Sequence, residues 1–179
     1  MALTVLGLPV AALVVWVLAR RGRAWPTALA EVGVVYGTVP GVWMIMLPGS
    51  RAGSVPGRVS LVPLRDLVTI FGGPAVTVSV QVVANLLVFA AFGFFGPLRF
   101  AALRSVPRVL VIAAVWSASL EAAQYVLRLD RVSSVDDVLL NAAGAGLAAM
   151  LSRRWWAHSD ASQGWPGWTR VSRADRVSR

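Results

Sequence analysis

Three long stretches of this chain carry almost no charge, and that feature most constrains its fold. No charged residue falls between Asp66 and Arg99, only Glu121 falls between Arg108 and Arg128, and none falls between Asp137 and Arg153. About 20 apolar residues at 1.5 Å rise cross the hydrocarbon layer of a bilayer, so these gaps have the length of membrane spans. Composition agrees: 57% of the 179 residues are hydrophobic and 14% are charged, against roughly 25% charged in an ordinary soluble domain. A water-soluble globule does not fit. The expected class is all-α, a polytopic helical bundle in a membrane.

The residue inventory also narrows the chemistry. There is no cysteine, which excludes disulfides, thiolate metal sites and cysteine nucleophiles. The one histidine, His158, lies in the polar tail and cannot build a histidine cluster alone. All 17 basic residues are arginine, so lysine Schiff-base and general-base chemistry is absent. The expectation is no metal site and no cofactor. A net charge of +9 in a chain this apolar points to membrane orientation before nucleic acid.

Five spans are predicted. The first covers about Ala2 to Ala19, with Pro9 as a candidate kink. Its positive charges, Arg20, Arg21 and Arg23, follow the apolar run, whereas a secretory signal carries them before it, so it is read as a retained helix. The second, about Ala30 to Leu47, contains Gly33, Gly37, Pro40 and Gly41 and is expected to be irregular or closely packed. The third, about Ala75 to Leu98, follows the breaker Gly72-Gly73-Pro74. The fourth covers about Val109 to Leu127. The fifth, about Val135 to Leu151, is short enough to imply tilt or local thinning.

Arginine counting orients the bundle. One face collects Arg20, Arg21, Arg23, Arg99, Arg104, Arg108, Arg153, Arg154 and four arginines beyond Gln163; the other collects only Arg51, Arg58, Arg65, Arg128 and Arg131. The positive-inside rule then places the amino terminus outside and the carboxyl terminus in the cytoplasm of a multi-pass cell-membrane protein. Between the second and third spans, Val59 to Phe71 reads VSLVPLRDLVTIF, too short to span and interrupted by Pro63 and Arg65-Asp66. It is either a re-entrant segment or a loop helix on the outer surface. From Ser152 onward a disordered cytoplasmic tail is expected, with Trp155 and Trp156 beside Arg153 and Arg154 as an interfacial anchor on membrane lipids. The chain divides into 1–58, two helices and a loop; 59–151, the core; and 152–179, the tail.

Polar residues within spans are few and regularly spaced. Gln81 and Asn85 are four apart, Glu121 and Gln124 three apart, and Asp137 and Asn141 four apart, so each pair shares one face of its helix. Counted from the connected ends of the helices, Glu121 lies about 10 Å deep, Gln81 about 9 Å, Asn85 about 15 Å and Asn141 about 6 Å. All fall in the same half of the membrane. One polar cavity is therefore predicted, opening toward the face that carries Arg65, Arg128, Arg131, Asp136 and Asp137.

Each of these residues has a structural alternative. Amides in membrane helices often serve as interhelical glue worth about 1 kcal/mol or less, which suits Gln81, Asn85, Gln124 and Asn141. Glu121 is harder to dismiss, because a carboxylate at that depth costs roughly 2.5 to 3.5 kcal/mol to insert. Its candidate counter-ions are Arg128, Arg131 and Arg65. Asp136 and Asp137 follow Ser133-Ser134 and suit capping of the fifth helix. Ala142 and Gly146, with Gly144 nearby, form a small-residue face for close helix packing.

The ordered motifs resemble the VanZ-like membrane protein family. They are Asn85-Leu-Leu-Val-Phe89, Gly93, Arg99, Glu121-Ala-Ala-Gln124, Arg131, and Val135-Asp136-Asp137-Val-Leu-Leu-Asn141-Ala-Ala-Gly144, with Pro63-x-Arg65 upstream. The likeness covers about Leu61 to Leu151. Departures are Ser60-Leu-Val before Pro63 in place of an asparagine, Ser134 ahead of Asp136, and Ala91 where the family often has proline. The resemblance implies a small envelope-related membrane protein whose founding relative is associated with resistance to the glycopeptide teicoplanin.

Three functions remain open on the sequence. In the first, the polar site binds an amphiphilic envelope ligand, with Glu121 meeting a proton or cation, Arg131 or Arg65 an anionic head group, and Asn85 and Asn141 orienting it. In the second, the protein is an enzyme acting on a lipid-linked precursor, with Glu121 and Asp136 or Asp137 as acid and base, or with the aspartate pair holding a divalent cation. In the third, the polar network only locks helices together. No nucleic-acid partner is expected, because the arginine-rich tail carries no recognised motif.

Overall fold

The computed structural model describes residues 2–162. Its elements run α1 (Ala2–Arg20), α2 (Trp25–Ile45), β1 (Arg58–Ser60), α3 (Arg65–Phe71), α4 (Ala75–Val88), α5 (Ala90–Arg99), a 3-10 turn (Ala101–Leu103), α6 (Val106–Val126), β2 (Val132–Ser134) and α7 (Val135–Ser162). Four segments are long and apolar enough to cross a membrane: Trp25–Ile45, Ala75–Arg99, Val106–Val126 and Val135–Ala157. The 19-residue apolar α1 packs on α2 and completes the expected set. Pro26 and Pro107 stand in the first turns of α2 and α6, where a missing N–H costs nothing.

The helices order themselves into two ends. Glu31 near the start of α2 accepts from Arg23 and from Arg99 Nε at 2.6 Å, so the α1–α2 and α5–α6 connections share one end, rich in arginine. At the opposite end Arg51 and Arg58 pair with Asp130, and β1 lies parallel to β2 in the register Arg58–Val132, Val59–Ser133, Ser60–Ser134. We call this the strand end.

Helix α7 forms the centre of the bundle, against α4, α5 and α6. Its Ala142, Ala145 and Ala149 meet Val88, Phe89, Phe92, Val109 and Ala113 in a single buried core. Two glycines set the closeness of this packing. A β-carbon on Gly144 would overlap the backbone carbonyl of Leu86, and one on Gly93 would overlap that of Ala145. Gly144 thus brings α7 onto the backbone of α4, and Gly93 brings α5 onto the backbone of α7, while Gly146, on the predicted face with Ala142, meets the Leu110 side chain of α6.

Several expectations change. The third span is not one helix: α4 ends at Val88 and α5 begins at Ala90, with Phe89 at φ −109° and ψ 8° between them. No proline or glycine marks the break locally. Phe89 is fully buried there, its ring 4.9 Å from that of Trp116. The second span is a continuous helix through Pro40, so of its two readings close packing holds: Gly37 faces Ala91 and Gly41 faces the Val88 backbone.

Val59 to Phe71 forms β1, a turn and the seven-residue α3, with Leu61, Val62, Leu64, Val68 and Phe71 exposed rather than threaded between helices. The segment thus holds a short helix and one strand of a two-stranded sheet that no helical pattern announced. The fifth helix does not stop at Leu151 but runs 28 residues to Ser162, removing the expected shortness. Residues 153–162 contain no Gly or Pro, so nothing in them breaks the helix. Trp156 is buried, its Nε1 donating to Ser152 Oγ at 3.1 Å, so only Trp155 is half exposed as an anchor would be. The remaining tail, 163–179, lies outside the described residues.

Candidate functional site

The strand end is wired by backbone donors meeting carboxylates. Ser134, the last residue of β2, caps α7: its Oγ accepts the N–H of Asp136 at 3.1 Å, the N-cap geometry that serine favours. The same Oγ donates to Asp66 Oδ2 at 2.5 Å, and the Ser134 N–H donates to Glu121 Oε2 at 3.0 Å. Ser133 Oγ donates to the Glu121 carbonyl at 2.8 Å. These two serines therefore hold α6, α7 and the α3 loop in one arrangement.

Asp136 has a different task from the one its spacing suggested. Its carboxylate is buried and accepts the backbone N–H groups of Leu64 at 2.5 Å, Asp66 at 3.0 Å and Leu67 at 3.0 Å. It thus caps α3, a distant helix, with the charge at the positive end of that helix. Leu64 accommodates this at φ 66°, a left-handed conformation unusual for a branched side chain.

The other polar positions converge. A cavity of about 500 Å³ at the strand end is lined by Gln81, Asn85, Glu121, Gln124, Asp137 and Asn141, with Arg131, Arg58 and Asp130 also on its wall. This volume lies in the range of small-molecule sites, roughly 300 to 1,000 Å³. The α-helical spacings of three and four place each pair on the cavity side of its helix, as the shared-depth argument requires. Asp136 does not line it, and Arg65 stands exposed at the start of α3, outside the lining.

Hydrogen bonding separates glue from open functionality. Gln124 Nε2 donates to the Ile45 carbonyl at 2.9 Å and ties α6 to α2. Asn141 Nδ2 donates to Ser117 Oγ at 2.8 Å, tying α7 to α6, and Asn85 Nδ2 donates to Asp137 Oδ1 at 2.5 Å, tying α4 to α7. These are the interhelical bonds expected of amides in a bundle. The buried Oδ1 of Asn141, however, has no hydrogen-bond partner. Among the described residues Glu121 makes no direct ion pair. Of its three candidate counter-ions only Arg131 shares the cavity wall. Arg131 is itself steadied by Nε donating to the Leu47 carbonyl at 3.1 Å. Arg128 is exposed in the turn after α6 at φ 51°.

A second space adjoins the first. An apolar groove of about 260 Å³ runs beside α6 and α7, between Val59, Leu61, Ala118, Ala122, Tyr125 and Val138, and it too reaches Glu121. Glu121 therefore stands between a polar cavity and an apolar groove. No combination of three acidic or histidine side chains suited to a metal ion occurs among the described residues.

Sequence reasoning missed Ser133, Ser134, Asp130 and Glu31. The serines bond across the fold rather than along one helix, so no spacing rule finds them. Asp130 sits in a loop, where its pairing with Arg51 and Arg58 depends on a chain separation of over seventy residues. Glu31 carried a usable signal, being an acid inside an apolar helix.

No curated protein and no solved structure matches the chain. A family description does: VanZ/LLP1 matches residues 34–156, which run from within α2 into α7 and include every side chain that lines the polar cavity. With most of its length and its whole helical core covered by that match, the chain belongs to the VanZ/LLP1 family.

Proposed function

We propose that this VanZ-like membrane protein serves the cell envelope by binding an amphiphilic ligand at the strand end. The supporting observation is the placement of Glu121 between a polar cavity and an apolar groove, which suits a molecule with a polar head and a hydrocarbon body. Arginine distribution orients the strand end outward, with the amino terminus outside and the carboxyl terminus in the cytoplasm. The family's founding relative is associated with resistance to the glycopeptide teicoplanin, which makes glycopeptide resistance the phenotype to which we assign the site. Arg131 is the residue placed to meet an anionic group, in preference to Arg65.

The enzyme reading retains one observation in its favour: Glu121 and Asp137 line the same cavity, as an acid and base on one substrate must. Product formation from a lipid-linked precursor, abolished by Asp137→Asn, distinguishes it from binding alone.

The test is complementation. Wild type, Glu121→Gln, Arg131→Ala and Asp137→Asn are expressed in a deletion host and scored for teicoplanin and envelope-stress sensitivity against quantified membrane abundance. The expected result is loss of protection at unchanged abundance for all three variants. Protection that follows abundance across the series makes the polar cluster helix glue and contradicts the proposal.

A further inference from the structure

Within that reading, the charges that line the cavity narrow the ligand. Asn141 stands on its wall, 1% exposed, with its Oδ1 enclosed and without a hydrogen-bond partner. Glu121 and Asp137, both acceptors, line the same space. Each carboxylate accepts one side-chain or backbone bond, from Ser134 N–H and from Asn85 Nδ2, and a carboxylate has room for more. Two cations share the wall: Arg58, which pairs with Asp130 on the same wall, and the exposed Arg131, which makes no ion pair among the described residues. The cavity thus holds two carboxylates, Glu121 and Asp137, and one guanidinium that are not paired with each other.

We infer that the cavity takes the zwitterionic head group of an amphiphile, a primary ammonium at its two carboxylates and a phosphate at Arg131. An ammonium presents three donors, and Glu121 and Asp137 line one space with acceptor oxygens to spare. A phosphate meets the guanidinium of Arg131, whose planar fork suits its oxygens. Two carboxylates on one cavity wall, neither in an ion pair among the described residues, call for a cationic donor between them. A hard divalent cation fits less well, because it asks for six or more oxygens or a near-octahedral set, and the described residues gather no three acidic or histidine ligands. The hydrocarbon part of the ligand lies along the apolar groove that shares Glu121.

This inference rests on the amphiphile-binding reading, and the test separates the two. The full chain, purified in maltoside, is titrated with dihexanoyl lipids bearing phosphoethanolamine, phosphocholine or phosphoglycerol heads. Phosphocholine keeps the charge but removes the N–H donors, and phosphoglycerol removes the cation. Wild type is expected to bind the phosphoethanolamine lipid at least about tenfold tighter than either other lipid, the difference of one charge-assisted hydrogen bond. Glu121→Gln and Asp137→Asn are expected to abolish that preference. Equal binding of all three heads, lost on Ala84→Trp, which fills the cavity, overturns the ammonium assignment and leaves the amphiphile site standing. Preference that requires added divalent cation and disappears with EDTA also overturns it. Failure of every lipid to bind removes the amphiphile reading itself. The wild-type comparison across head groups needs no variant to fold.

Discussion

Gly144→Leu is expected to abolish accumulation of folded protein in the membrane. A β-carbon at this position would overlap the carbonyl oxygen of Leu86, a backbone atom of α4 that cannot rotate aside as a side chain can. Relief demands separation of α4 from α7, and that separation opens the core built from Val88, Phe89, Ala142 and Ala145. Overpacking in a well-filled core costs about 1–3 kcal/mol even where side chains can adjust. Against backbone the loss exceeds that range and approaches the whole margin of a marginally stable domain, about 5–15 kcal/mol. Gly93→Leu acts the same way through Ala145 on the α5 side. Gly72→Ala is the matched control, because its β-carbon meets only the Thr69 carbonyl at 3.4 Å, an ordinary contact. Quantified membrane abundance and detergent melting check the series: Gly144→Leu absent or strongly destabilised, Gly72→Ala within about 0.5 kcal/mol of wild type.

Asp136→Ala is expected to release α3 while leaving the transmembrane bundle assembled. Three backbone N–H groups converge on this carboxylate, and bonds to charged acceptors contribute about 1.5–3 kcal/mol each when intact. Water can replace some of them in this exposed segment, so the net loss is about 3 kcal/mol, felt locally. α3 has seven residues, well short of the ~12–15 an isolated helix needs in water. Without its cap it keeps only the Ser134–Asp66 bond and light packing on α4 and α7, and Leu64 loses the bond that accompanies its left-handed backbone. Amide exchange at Leu64, Asp66 and Leu67 should accelerate at least about tenfold, one step of 1.4 kcal/mol, with α6 and α7 protection unchanged. Asp136→Asn, which keeps one acceptor oxygen, should fall between. Unchanged exchange in Asp136→Ala would contradict the assigned role.

Much of the architecture was legible because a bilayer simplifies the problem. Uncharged runs located the helices, and the spacing of Gln81 with Asn85, Glu121 with Gln124 and Asp137 with Asn141 placed their polar faces at one depth, where the cavity now lies. Small residues at Ala142 and Gly146, with Gly144 nearby, announced close packing without naming the partners, which are the α4 backbone at Gly144 and the Leu110 side chain of α6 at Gly146. What stayed hidden depends on contacts between distant segments. β1 and β2 are three residues each, too short for alternation to register. Asp136 matched the pattern for capping its own helix, yet its carboxylate turns to α3, about seventy residues away in sequence. Arg65 carried the right charge at the right end, but α3 presents it to the exterior. The break at Phe89 has no local breaker and coincides with the packing of its ring on Trp116.

The central claim is that the cavity at the strand end holds an amphiphile. The most direct measurement places a photo-crosslinking benzophenone amino acid at Ala84, on the cavity wall, and at Val115, 63% exposed on the outer face of α6. Cells are irradiated, the protein is purified, and its adducts are weighed by intact mass spectrometry. The account predicts one discrete amphiphile adduct at Ala84, lost when Glu121→Gln is added, and a mixture of bulk membrane lipids at Val115. No adduct at Ala84, or the same mixture at both positions, would contradict it.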